Sequence, residues 1–128
     1  MRVYARDGTV VPELFGMHIY EYYAAHPADL ACFSRAMGNV SALVANGTVQ
    51  HYDFSGARHI IDVGGADGGL LLAILEANPH AHGTVFDRPQ VIEGARQAII
   101  AKNYQARCDV VGGDFFEELP AGGDVYVL

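Results

Sequence analysis

The chain has 128 residues, 51% of them hydrophobic, and carries 8 Lys and Arg against 15 Asp and Glu, a formal net charge of −7. That length and apolar content suffice for one buried core, and without a run or patch of Lys and Arg the acidic balance excludes a nucleic-acid or anionic-membrane surface. No secretory signal and no apolar run near the roughly eighteen residues of a membrane span is found, so a cytoplasmic protein with small-molecule partners is expected.

Met1 to Val11 lack periodicity and read as a loose lead-in or a short strand. From Pro12 to Ala25, Leu14, Phe15, Ile19, Tyr22 and Tyr23 approximate a helical stripe broken at Gly16. Pro27 opens a cleaner helix. Asp29 suits its positive end, Leu30, Phe33, Met37, Val40 and Val44 recur at three and four, and Gly47 offers a stop after about Asn46. A polar link, Gln50 to Ser55, follows. The period then switches: a strand over His59–Val63, a helix from about Gly68 to Ala77 closed by Asn78-Pro79, and a strand over Gly83–Phe86. A helix from Pro89 to about Lys102 carries Val91, Ile92, Ala95 and Ile99 along one face and can end at Asn103; Arg107–Val111 is a third strand and Asp124–Leu128 a fourth. Strands alternating with helices at this spacing require right-handed crossovers in a parallel sheet. Cys32 and Cys108 fall in a helical and a strand pattern and read as core thiols, not a disulfide. His80 and His82 have no Cys or carboxylate at ligand spacing, so no metal site is expected.

The stretch His59-Ile60-Ile61-Asp62-Val63-Gly64-Gly65-Ala66-Asp67-Gly68-Gly69 is a buried strand running into a glycine-rich turn that opens a helix. Glycines let the backbone approach a ligand, and the amides of a helix N-terminus favour a nucleotide's polar groups. A dinucleotide fingerprint needs glycine at the third loop position, where Ala66 stands, and a phosphate loop needs a following Gly-Lys-Ser/Thr, which is absent. What remains is an acid, Asp62, two places before Gly64, with Gly65 and Gly68 following; read alone, such a turn could also serve packing only.

This stretch resembles the Asp-Val-Gly-Gly-Gly-x-Gly motif of S-adenosylmethionine-dependent small-molecule O-methyltransferases, the caffeate-type plant enzymes and related bacterial ones. Four further segments resemble the same family: Phe33-x-x-x-Met37-x-x-x-Ser41, Tyr52-Asp53-Phe54-Ser55, Phe86-Asp87-Arg88-Pro89-Gln90-Val91 and Gly113-Asp114-Phe115-Phe116. Each also has a plain structural reading: Phe33 and Met37 as core on an amphipathic helix, Asp87 as a helix cap, Gly-Asp as an ordinary turn. Together the segments run from about Gly16 to Leu128.

The resemblance implies an α/β fold, a partial Rossmann-like class I methyltransferase sheet with parallel strands ordered 3-2-1-4, preceded by a short helical segment. It divides the chain into a helical linker, 1–55, and a truncated cofactor domain, 56–128. It further implies that S-adenosylmethionine is held by Ser41, Gly64, Gly65, Asp87, Asp114 and Phe115. Asp87 takes the ribose hydroxyls, Asp114 the adenine amine and Phe115 the ring, while Met37 lines the substrate side. Arg88 replaces an apolar residue of the family and is expected to alter the surface, not the ribose contact. If Ala66 must adopt positive φ, its methyl costs on the order of 1 kcal/mol; Ala66→Gly is expected to relax the loop while slightly lowering stability. The family's general base lies beyond Leu128, so no catalytic residue is assigned, and the chain is expected to be a piece of a methyltransferase of hydroxyl acceptors. The alternative is a non-catalytic cofactor-binding or assembly module. Val125 to Leu128 would leave an apolar strand edge that favours a homodimer or other self-association.

Overall fold

A computed structural model describes residues 16–128. The expected lead-in at Met1–Val11 and the start of the first helical stripe lie outside them. The chain forms two compact units, Met1–Asn39 and Val40–Leu128.

In the first unit, Gly16 has φ +70 and helix α1 covers Ile19–Ala25. The backbone N–H of His18 donates to Glu21 Oε2 at 3.0 Å, which closes the helix start. Helix α2 spans Pro27–His51 and so belongs to both units. Tyr22 donates its hydroxyl to Asp29 Oδ2 at 2.8 Å, a bond that raises the Tyr22 pKa, and the Tyr23 and Phe33 rings stack at 5.0 Å.

Helix α2 does not stop at Gly47 as its sequence suggests. A glycine ends a helix by adopting the left-handed conformation, and Gly47 is not among the glycines with positive φ. The helix runs one further turn because Ala45 is buried and Val49 packs on the core of the second unit, which offsets the roughly 1 kcal/mol that an interior glycine costs.

The second unit carries the sheet. Strands β1 (His59–Val63), β2 (His82–Asp87), β3 (Cys108–Gly112) and β4 (Val125–Val127) alternate with helices α3 (Gly69–Ala77) and α4 (Ile92–Ala101). All pairings are parallel and the order is β3-β2-β1-β4, as expected. Ile60, Leu71, Leu72, Ile74, Leu75, Val85, Ala95 and Ile99 form the main core, and Ile61, Val63 and Phe86 a smaller cluster. Alternation along β1 sends Ile60 and Ile61 to these different clusters.

Helix α4 begins three residues later than Pro89, because Val91 N–H bonds Arg88 O at 2.9 Å and residues 89–91 are spent on that turn. Its end is where the sequence puts it. Asn103 has φ +61, its N–H reaches Ile100 O, and Tyr104 N–H reaches Ile99 O, the paired closure of a Schellman cap.

Long-range polar contacts lock the frame. Asp124 Oδ2 accepts the N–H groups of Arg58 (2.8 Å) and His59 (2.9 Å), and these bonds hold the Asp124 carboxyl below its ordinary pKa. The His59 ring bridges Gly122 O (3.2 Å) and Thr84 Oγ1 (2.8 Å). Since a carbonyl only accepts, Nδ1 carries the proton in the neutral ring. Arg107 donates to three carbonyls, those of Leu75, Asn78 and Ala81, at the C-terminal end of α3 and the link after it.

The reading of both cysteines as core thiols needs correction. Cys108 is buried, and burial first, then the charges of Asp109 and Asp62, push its thiol up to about 12; Cys32 lies exposed on α2. Helical periodicity alone did not say which face of α2 Cys32 occupies. Among the described residues no helix is long and apolar enough to cross a membrane.

Candidate functional site

The carboxyl ends of β1, β2 and β3 converge on the glycine turn. Parallel register places Val63 beside Phe86 and Asp87 beside Gly112, so the residues that follow each strand meet at one edge of the sheet, where open α/β sheets hold their ligands. The turn is fastened there by its backbone: Gly64 N–H donates to Phe86 O at 2.7 Å and Gly68 N–H to Gly65 O at 2.7 Å. Gly64 and Gly68 have φ of +74 and +75, a region where a side chain is strained.

Gly65 is needed for a different reason. A Cβ there would lie 2.8 Å from both Cγ and Oδ2 of Asp62 and 3.1 Å from the Asp62 carbonyl oxygen. The Asp62 carboxyl therefore lies directly against the Gly65 backbone. Asp62 is only 5% exposed and its Oδ2 has no hydrogen-bond partner. Burial, with the charges of Asp87 and Asp67 adding to it, pushes this carboxyl up to about 6. Sequence reasoning used Asp62 as a spacing marker and gave it no role. The signal was an acid inside the otherwise apolar run Ile60-Ile61-Asp62-Val63, since a carboxylate is rarely buried without a partner.

Asp87 is joined to the turn directly. Its Oδ2 accepts the Ala66 N–H at 2.9 Å and its Oδ1 the Arg88 N–H at 2.7 Å. Each oxygen keeps a second lone pair, so the carboxylate is oriented without being saturated. The Arg88 side chain is exposed, and the helix begins too late for Asp87 to be its simple cap. Gly113 N–H bonds Asp87 O at 3.0 Å, and a Cβ on Gly113 would come within 2.6 Å of the Phe86 ring, so glycine lets the chain after β3 pass close over β2. Asp114 follows at once. Its Oδ1 accepts the Phe116 N–H at 2.9 Å, and the exposed Phe115 and Phe116 rings lie 4.6 Å apart.

Gly64, Gly65, Asp87, Asp114 and Phe115 thus lie on three successive turns at one sheet edge. Ser41 and Met37 are exposed on α2, and among the described residues no hydrogen bond joins Ser41 to the glycine turn. Among the described residues no three His, Cys, Asp or Glu gather as metal ligands.

Ala66 has φ +47, so the conditional cost in the sequence reading applies. That reverses the sign expected for Ala66→Gly. Relief of left-handed strain outweighs the added freedom of the unfolded chain, and the variant should be more stable by roughly 0.5–1 kcal/mol. Urea denaturation compares the two; a less stable variant would mean that the Ala66 methyl makes a packing contact worth more than the strain.

An orphaned buried carboxylate against a glycine, an oriented carboxylate with spare lone pairs and an acid beside an aromatic wall fit a ligand with a cationic end, a diol and a flat amino-bearing ring. Comparison with known proteins identifies the family. The family model described as an O-methyltransferase domain matches residues 3–128. The chain is 41% identical over 120 residues to the phenazine O-methyltransferase of Lysobacter antibioticus, covering 94% of this chain and 35% of that protein. It is 40% identical over 113 residues to the mitomycin biosynthesis 6-O-methyltransferase of Streptomyces lavendulae, covering 88% and 32%. A crystal structure of an O-methyltransferase from neocarzinostatin biosynthesis, in complex with S-adenosylmethionine and 2-hydroxy-5-methyl naphthoic acid, aligns with a TM-score of 0.77 at 35% identity, over 91% of this chain and 36% of that one. The chain spans about a third of the length of the curated relatives it matches.

Proposed function

Because this chain belongs to the O-methyltransferase domain family, we propose that it is the cofactor-binding part of an S-adenosylmethionine-dependent enzyme that methylates a hydroxyl of a small aromatic molecule. The observation that carries this reading is the bond from Ala66 N–H to Asp87 Oδ2, which ties the ribose-position acid to the glycine turn. The free lone pairs of Asp87 accept the two ribose hydroxyls, Asp114 accepts the adenine amine, and Phe115 packs on the ring. The turn at Gly64 and Gly65 brings backbone close to the amino-acid end, and Asp62 supplies negative charge beneath it. Ser41 adds a hydrogen bond to the cofactor. S-adenosylmethionine, when bound, supplies a methyl group activated by its sulfonium; the residues of this chain hold and orient that reagent and keep its charges matched. No general base is assigned among them.

In this reading 1–55 is a helical linker, 56–128 the cofactor domain, and the protein works in the cytoplasm. Calorimetric titration with S-adenosylmethionine and S-adenosylhomocysteine tests it. Saturable binding of both is expected, and a folded chain that binds neither would sink the reading.

Self-association belongs to the same proposal, and light scattering after size exclusion tests it: a chain that runs as a stable monomer at every concentration would discount it.

A further inference from the structure

We propose that Asp62 is a proton-exchanging residue of the cofactor site, held as a neutral acid in the unliganded chain under mildly acidic conditions and stripped of its proton when the cofactor's cationic end enters. The inference rests on the cofactor reading above and adds a regulation to it.

The geometry carries it. Asp62 sits on β1, the strand between β2 and β4, with Val85 and Val127 at its own level on the two neighbours. Helix α3, which packs on β1, buries Leu71, Leu72, Ile74 and Leu75. Among the described residues the titratable groups acting on Asp62 are all acidic: Asp87 from the end of β2 and Asp67 from the glycine turn. On β3 the Cys108 thiol is itself kept protonated in part by the Asp62 charge. Among the described residues no Lys, Arg or His acts on the carboxyl. An isolated carboxylate in such a place is relieved either by a proton or by a cation brought near it, and Oδ2 is buried without a hydrogen-bond partner, packed against the side-chain-free Gly65 of the turn.

The two states respond oppositely to pH. An unfolded carboxyl titrates near about 3.9 and Asp62 in the fold at about 6. Between these values the fold binds more protons than the unfolded chain, so the unliganded protein loses stability as pH rises through that window. A cation binds the ionised form, so cofactor affinity gains over the same rise. The step balances as carboxylic acid plus bound cation giving carboxylate, bound cation and one proton released to buffer.

The test is titration of the full chain with S-adenosylmethionine in two buffers of different ionisation heat. At pH 6 the difference should show release of about half a proton per site, and affinity should weaken about tenfold from pH 7 to pH 5. Asp62→Asn should abolish both effects. Should that variant not fold, Asp67→Asn serves. Its amide oxygen can still accept the Gly69 N–H that Asp67 Oδ1 accepts at 3.0 Å, yet it removes one of the charges on Asp62, so proton release at pH 6 should shrink. Binding with identical heat in both buffers overturns the proposal and leaves the cofactor reading standing. Absence of binding at every pH overturns both.

Discussion

Replacing Arg107 with Ala should destabilise the Val40–Leu128 unit by about 2–3 kcal/mol, because charge-assisted hydrogen bonds to several acceptors are lost at once. The guanidinium donates through Nη2 to the carbonyls of Leu75 (2.8 Å), Asn78 (2.7 Å) and Ala81 (2.9 Å), and through Nε to Ala81 at 3.1 Å. The last carbonyls of a helix have no partner within it, and the negative end of its dipole favours a cation. Arg107 supplies both and also lies over the Tyr104 ring at 5.4 Å. It thereby holds the end of α3 to the start of β3, and α3 is the helix that follows the glycine turn. The expected loss corresponds to a fall in Tm of roughly 10–20 °C for a unit of this size. Arg107→Lys should recover only part of it, since an ammonium keeps the charge but lacks the planar fork that spans several carbonyls. Thermal unfolding followed by circular dichroism measures all three chains. A loss below about 0.5 kcal/mol in the Ala variant would mean that water replaces the guanidinium at those carbonyls.

Arg107 also marks the limit of what the residues disclose by themselves. The alternating strands and helices were legible because each apolar run is short, changes period at a boundary, and is bracketed by Gly, Pro or Asn. Asn103 ended α4 where it was expected to, since its signal is local. Gly47 did not end α2, because burial of Ala45 and packing of Val49 decided the matter and neither is local. Arg107 finds its carbonyls 26 to 32 residues away, and no spacing rule reports such a contact. The site divides in the same way. Asp87 and the glycine turn were legible, since parallel register carries strand ends to one edge. The burial of Asp62 and the positive φ of Ala66 follow from how the turn folds back over β1. For Ser41 and Met37 the motif gave spacing along a helix, and their exposure on α2 supplies no contact that fixes a role.

If Asp87 accepts the ribose hydroxyls as proposed, Asp87→Ala should cost S-adenosylmethionine about 1.5–3 kcal/mol of binding free energy, roughly a ten- to hundredfold loss of affinity, because a carboxylate acceptor for two hydroxyls disappears. The structure adds a second route to the same loss. Asp87 Oδ2 anchors the Ala66 N–H, so truncation releases the glycine turn as well as the ribose contact. Asp87→Asn separates the two. Its amide oxygen can still accept the Ala66 N–H, while the amide nitrogen would face a hydroxyl with donors where an acceptor is needed. If the turn is the larger contribution, Asn restores most of the affinity; if the hydroxyls are, Asn behaves nearly as Ala. A deoxyribose analogue of S-adenosylhomocysteine gives the cross-check, since a ligand without one of those hydroxyls should lose less on going from Asp to Ala. Calorimetry of the three chains against the natural ligand and the analogue reads every term. Equal binding by wild type and Asp87→Ala would remove Asp87 from the ribose and leave it as a residue that only shapes the turn.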